Sequence, residues 1–88
     1  MRRERLQPAD QIIRALGGAS VVAEKAKVAV VTVNRWRWRT DEGGTGGYIP
    51  RRHHDKLLEA AKEIGIELPV TAFADPTIAT AYLDAVAA

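Results

Sequence analysis

The chain has 88 residues, no cysteine, and a net charge of +2. A chain this short buries roughly 60–65% of its unfolded surface, which supports one modest core and leaves no room for a deep catalytic cavity. The lack of cysteine excludes disulfides, thiolate nucleophiles and zinc fingers, and no apolar run reaches the ~20 residues of a membrane span. The N-terminal Met1-Arg-Arg-Glu-Arg leads into no signal-peptide core, so a soluble protein of the cytoplasm is expected. The charge is unevenly spread. Residues 1–39 hold nine Lys/Arg against three Asp/Glu, whereas residues 40–88 hold four against eight. A basic working face with a separate role for the acidic half is the natural reading.

In chain order, residues 1–7 read as a basic arm whose Arg2, Arg3 and Arg5 could reach a minor groove. Pro8 suits the first turn of a helix, along which Ala9, Ile12, Ile13 and Leu16 form an apolar stripe until Gly17-Gly18 stops it. A second helix is predicted over 20–27, with Ser20 as N-cap and Val22, Ala23 and Ala26 inward.

Residues 28–33, Val-Ala-Val-Val-Thr-Val, are in conflict. Their β-branched side chains favour a strand, but a strand here has no partner elsewhere in the chain. Ala23, Val28, Val33 and Trp36 follow at spacings of five, five and three, which suits two helices meeting at a sharp turn around Lys27. The expectation is therefore a helix over 29–38.

Asp41-Glu-Gly-Gly-Thr-Gly-Gly47 reads as a flexible loop. It is not a phosphate-binding loop, because no Lys-Ser/Thr follows the glycines. The longest helix is predicted over 50–64, with Pro50 in its first turn and His54, Leu57, Leu58, Ala61 and Ile64 inward. Gly65 is placed as its C-terminal cap residue, with Ile66 folding back. Residues 66–74 are expected to be extended. Asp75-Pro76 then reads as a cap and first-turn proline ahead of a helical 77–88 carrying Ile78, Tyr82, Leu83 and Val86.

The nucleophile inventory is one serine, Ser20, and a few threonines. His53 and His54 are neighbours and diverge by about 100° on a helix, so they cannot share a metal or a substrate atom. Asp55, Glu59 and Glu63 lie along one side of the long helix and read as a solvated face. No catalytic residues, metal or cofactor are expected, and the chain is not read as an enzyme.

The basic residues are more telling. Arg35, Arg37 and Arg39 occur with no acid between Glu24 and Asp41, and guanidinium groups suit phosphates and guanine edges. Arg51 and Arg52 occupy the first turn of their predicted helix, where the macrodipole disfavours cations unless an anion comes to them. Trp36 completes the apolar spacing and is assigned to the core; Trp38 is a packing residue or a contact to a nucleic-acid backbone.

With those residues in place, the chain resembles the helix-turn-helix regulators of the phage Cro and YdaS type, a branch of the lambda-repressor-like fold. The resemblance runs from about Ala9 to Phe73. It rests on Ile12-Ile13-Arg-Ala-Leu-Gly-Gly-Ala19, Val22-Ala23-Glu24, Val33-Asn-Arg-Trp36 and Ile49-Pro50-Arg-Arg-His53. It departs at two places. Lys27 stands where the family usually has Gly in the turn, so a side chain must accept an unfavourable backbone conformation. Ala29-Val30-Val31 replaces a polar, Ser-led start to the recognition helix, losing a cap worth roughly 1 kcal/mol.

The expected protein is thus an all-α, compact four- to five-helix domain containing a helix-turn-helix, with the Gly-rich loop following the recognition helix. Residues 1–74 would form the DNA-binding domain and 75–88 a helical extension that could serve as a dimer contact. The resemblance implies a phage- or prophage-type repressor or autoregulator placing helix 29–38 in the major groove. Val30, Val31, Thr32, Asn34 and Arg35 are the candidates for base contacts, and Ser20, Lys27, Arg37, Trp38, Arg39, Arg51 and Arg52 for phosphate contacts. Double-stranded DNA and a second copy of the chain are the expected partners. The alternatives are an antitoxin-like protein, whose acidic C-terminal half binds a protein partner, and an interaction module that keeps the fold without reading DNA.

Overall fold

In the computed structural model, which describes residues 5–66, 68–75 and 77, four α-helices carry the chain. They are α1 (Ala9–Ala15), α2 (Ala19–Ala26), α3 (Val30–Arg35) and α4 (His54–Glu63). Single 3-10 turns occupy Thr40–Glu42, Arg51–His53 and Val70–Phe73, and no strand occurs among the described residues. No helix among them is long and apolar enough to cross a membrane.

The apolar stripe of α1 is buried as its spacing requires: Ala9, Ile12, Ile13 and Leu16 all lie in the core. Its first turn is satisfied from upstream, since Gln7 Oε1 accepts the Gln11 N–H at 2.8 Å. Gly18 N–H bonds back to Ile13 O at 2.9 Å and ends the helix. α2 packs against α1, α3 and α4 and is the hub of the domain. Its inward residues Val22, Ala23 and Ala26 are buried. Gly18, not Ser20, holds its N-cap position; Ser20 is exposed in the first turn, and no side chain caps the helix.

The turn between α2 and α3 is made by Lys27 in the left-handed conformation, with φ 60° and ψ 46°. Val28 N–H bonds to Ala23 O at 3.0 Å and Lys27 N–H to Glu24 O at 3.3 Å, closing the end of α2. Val28 packs against the core, and Val33 and Trp36 are buried. The valine-rich stretch is therefore helical from Val30 onward, because burial of Val33 and Trp36 outweighs the local preference for a strand.

α3 is shorter than the 29–38 helix that spacing predicts. After Arg35 the bonds tighten to three-residue turns, Arg37 N–H to Asn34 O and Trp38 N–H to Arg35 O. The glycine-containing segment supplies the reason. Thr45 N–H donates to Arg35 O at 3.0 Å and Gly46 N–H to Trp38 O at 2.8 Å, while the Thr45 hydroxyl lies between the carbonyls of Trp36 and Tyr48. The reading of residues 41–47 as a flexible loop is corrected accordingly: they are hydrogen-bonded onto the end of α3. Gly44 is forced by space, since a Cβ there would lie 2.3 Å from the Trp38 carbonyl oxygen and 2.6 Å from that of Arg35.

The predicted 50–64 helix is instead a 3-10 turn, Arg51–His53, followed by α4. That turn changes the phase, so His53 is buried and His54 only half-buried. Leu57 and Ala61 are buried as expected, but Ile64 is 54% exposed, because it has left helical geometry at the C-cap. Gly65 N–H bonds to Lys62 O at 3.1 Å and Ile66 N–H to Ala61 O at 2.8 Å, the double closure foreseen for this end. Residues 70–73 form a 3-10 turn in place of an extended segment, burying Ala72 and Phe73. Asp75 Oδ1 accepts the Thr77 N–H at 2.9 Å, as a cap residue would. The apolar segment Ile78 to Ala88, and with it the expected dimer contact, lies outside the described residues.

Two substitutions test this packing by urea denaturation. Lys27→Gly is expected to raise stability by about 1 kcal/mol, because it removes the cost of a side chain at positive φ; a loss of stability would show that Lys27 contributes more than it costs. Arg37, buried past the end of α3, donates Nη1 to the buried Asp10 Oδ1 of α1 at 3.0 Å, so Asp10→Ala is expected to lower stability by about 3 kcal/mol or more by stranding it. Asp10→Ala with Arg37→Met should recover most of that loss, and equal losses in the single and double variants would contradict the assignment.

Candidate nucleic-acid interface

α3 divides into two faces by its 100° per-residue rotation. Val33, followed by Trp36 just past the helix end, turns inward and is buried. Val30 and Asn34, and Val31 and Arg35, are each four residues apart and so share the opposite side. Val30 and Val31 are 43% and 49% exposed, and Arg35 is exposed with no ion pair among the described residues. Thr32, expected on this face, stands about 200° round the helix from Val30 and is half-buried. The structure therefore brings together four of the five predicted base-contact residues and sets Thr32 on the flank.

Asn34 has a second engagement. Arg37 Nη2 donates to Asn34 Oδ1, and Arg37 Nη1 donates to Asp10 Oδ1 at 3.0 Å. Arg37 is only 8% exposed and Asp10 4%. The expectation that Arg37 holds a phosphate is corrected: in a run of basic residues it is the one drawn inward, because a buried carboxylate on α1 requires it. Leu6 N–H also donates to Arg37 O at 2.8 Å, so the N-terminal segment crosses the same point.

The other predicted phosphate ligands are distributed unevenly. Ser20 and Lys27 are exposed, at the start of α2 and in the turn leading to α3. Trp38 is half-buried, and its carbonyl is used by Gly46. Arg39 is exposed but held by Asp41 through two bonds, Nε to Oδ1 at 3.1 Å and Nη2 to Oδ2 at 3.0 Å. Such an exposed pair is weak and can be exchanged for a stronger anion. Arg51 and Arg52 are exposed, and neither pairs with Asp55 among the described residues.

The turn bearing Arg51 and Arg52 is held against the end of α3 by a tilted ring contact. The His53 ring lies 5.1 Å from that of Trp36, centroid to centroid. One turn further on, Lys56 Nζ donates to Ala26 O at 3.4 Å, beside Lys27. Lys25 pairs with Glu63 at 2.8 Å, an exposed contact that raises the lysine pKa. His54 stacks on Phe73 with centroids 3.9 Å apart, and its Nε2 donates to Ile49 O at 2.7 Å. Sequence reasoning put His54 on the inward stripe, where it is half-buried, and missed His53 as the buried ring, a difference set by the 3-10 turn.

His53 Nε2 accepts a bond from Arg52 Nε at 3.3 Å, while its buried Nδ1 has no partner among the described residues. Burial lowers its pKa below the ordinary value of 6.5, and the charges of Arg52, Lys56 and His54 lower it further. Comparison of the chain with protein-family models, curated proteins and solved structures found no match in any of the three.

A folded-state pKa below the unfolded one means that the unfolded chain takes up the proton first. The stability contributed by neutral His53 is therefore complete above about pH 6.5 and is lost as pH falls through that value toward the depressed one. The urea midpoint should drop between pH 7.5 and 5.5, and His53→Gln should flatten the dependence. An unchanged slope in that variant would rule out His53 as its source.

Proposed function

We propose that this chain is a sequence-specific DNA-binding protein in which α2, the Lys27 turn and α3 form a helix-turn-helix, with α3 entering the major groove. One observation carries the reading. α3 presents Val30, Val31 and Arg35 outward, Arg35 having no ion pair among the described residues, with the half-buried Asn34 beside them, while Val33, Trp36 and Arg37 fix it from behind. A short helix with a free guanidinium, a carboxamide and methyl groups on one face, rigidly backed, is what base-edge recognition requires. Ser20, Lys27, Arg51 and Arg52 are the phosphate contacts best supported by exposure, with Arg39 joining by exchange from Asp41. Arg37 acts from inside, and Trp38 serves in packing.

The resemblance to phage Cro and YdaS type regulators supports a repressor or autoregulator of phage or prophage type. The working form would be a homodimer on an inverted repeat with half-sites about one helical turn (~10 bp) apart. Counting only the cations without an ion pair among the described residues, Lys27, Arg51 and Arg52, and leaving aside Arg39 because it must give up Asp41, such a dimer makes six phosphate contacts.

The test is a fluorescence-anisotropy titration against a randomised duplex pool and against its selected sequence. Six phosphate contacts should cost about a thousandfold in affinity between 50 and 200 mM salt. Arg35→Ala should abolish the preference for the selected sequence while retaining weak, salt-sensitive binding. Absence of duplex binding at low salt would exclude α3 as a recognition helix and direct attention to a protein partner.

A further inference from the structure

We infer that the exposed face of α3 reads keto base edges, guanine N7 and O6 and thymine O4 with its methyl, and has no means of reading the amino groups of adenine or cytosine. This rests on the proposed function and specifies what the same face recognises. A guanidinium carries donors and no acceptor. Arg37, buried against Asp10, donates Nη2 to Asn34, so the carboxamide must turn its oxygen toward Arg37. Chemistry alone fixes this orientation. The Asn34 Nδ2 then leaves on the other side of the group. It meets no acceptor among the described residues, and the buried polar atoms without a partner are Arg37 Nε and His53 Nδ1, not Nδ2. Asn34 therefore offers the solvent a donor.

The rest of the face agrees. Arg35 offers only donors, and Val30 and Val31 offer only methyl groups. The one hydroxyl of α3, on Thr32, is on the flank and half-buried. Such a surface complements the two acceptors of guanine and the acceptor and methyl of thymine better than adenine, whose single acceptor N7 stands beside an amino group that this face cannot satisfy. Reading adenine with Asn needs its oxygen and nitrogen to face the base together, and Arg37 holds the oxygen on the inner side.

The experiment is selection of the full chain on a randomised duplex, followed by competition binding on the enriched site. Wild type is expected to enrich guanine and thymine on one strand of each half-site. Asn34→Asp keeps a carboxylate oxygen on Arg37 but turns the other outward as an acceptor, so one position should switch to an amino base, cytosine or adenine, by about tenfold. Asp10→Asn with Arg37→Met, checked for helicity by circular dichroism, frees the carboxamide and should admit adenine at that same position. Wild-type selection of adenine at the position altered by Asn34→Asp, or no switch in that variant, would overturn the inference alone. Tight duplex binding without base preference would also overturn it while leaving a DNA-binding role. Failure to bind any duplex would remove both it and the proposed function.

Discussion

The ion pair between Asp10 and Arg37 ties α1 to the segment that closes α3, and most of the exposed helix's placement follows from it. Removing two charges from water is expensive, and a buried pair of this kind often adds little net stability over apolar residues of similar size. What it adds is position. Arg37 has one hand on the first helix and one on Asn34, so the end of α3 cannot rotate without breaking a buried charge-assisted bond. Arg37 Nε, buried without a partner among the described residues, adds a further desolvation cost to this arrangement.

The apolar packing works in the same direction. α2 contacts the other three helices, and the small Ala23 and Ala26 on its inward side let them approach closely. The turn to α3 demands a left-handed residue, and Lys27 adopts that conformation. The chain thus accepts backbone strain at a point where a cation is exposed beside the proposed groove-reading helix. The uncapped start at Ala29 is a second local weakness, and again the residues responsible, Ala29 to Val31, lead into the exposed face.

Much of the helical plan was legible in the amino-acid sequence because it depends on spacing. The stripe of α1, the inward residues of α2, and the Ala23, Val28, Val33 and Trp36 pattern all mark core positions. The strained turn was legible too, from the lysine in place of glycine. The inward turn of Arg37 was not, since its partner lies 27 residues away and neighbouring arginines of identical chemistry remain exposed. Nor was the ordering of residues 43–46: glycine signals freedom in a sequence, whereas Gly44 here signals lack of space beside two carbonyls. The exchange of roles between His53 and His54 followed from a 3-10 turn that shifted the helix phase, which periodicity alone does not locate. Of the surface residues, Val30, Val31 and Arg35 could be placed from the helix period, but the second partner of Asn34 required the three-dimensional arrangement.

Whether α3, held from behind, is the surface that meets DNA can be read residue by residue from the backbone amide shifts of the 15N-labelled protein titrated with a duplex. The largest changes are expected at Val30, Val31, Asn34 and Arg35, with smaller ones at Ser20, Lys27, Arg51 and Arg52, and little change at the exposed Ile64 and Val70. Shifts centred on Ile64 and Val70, or none at all on α3, would contradict that role.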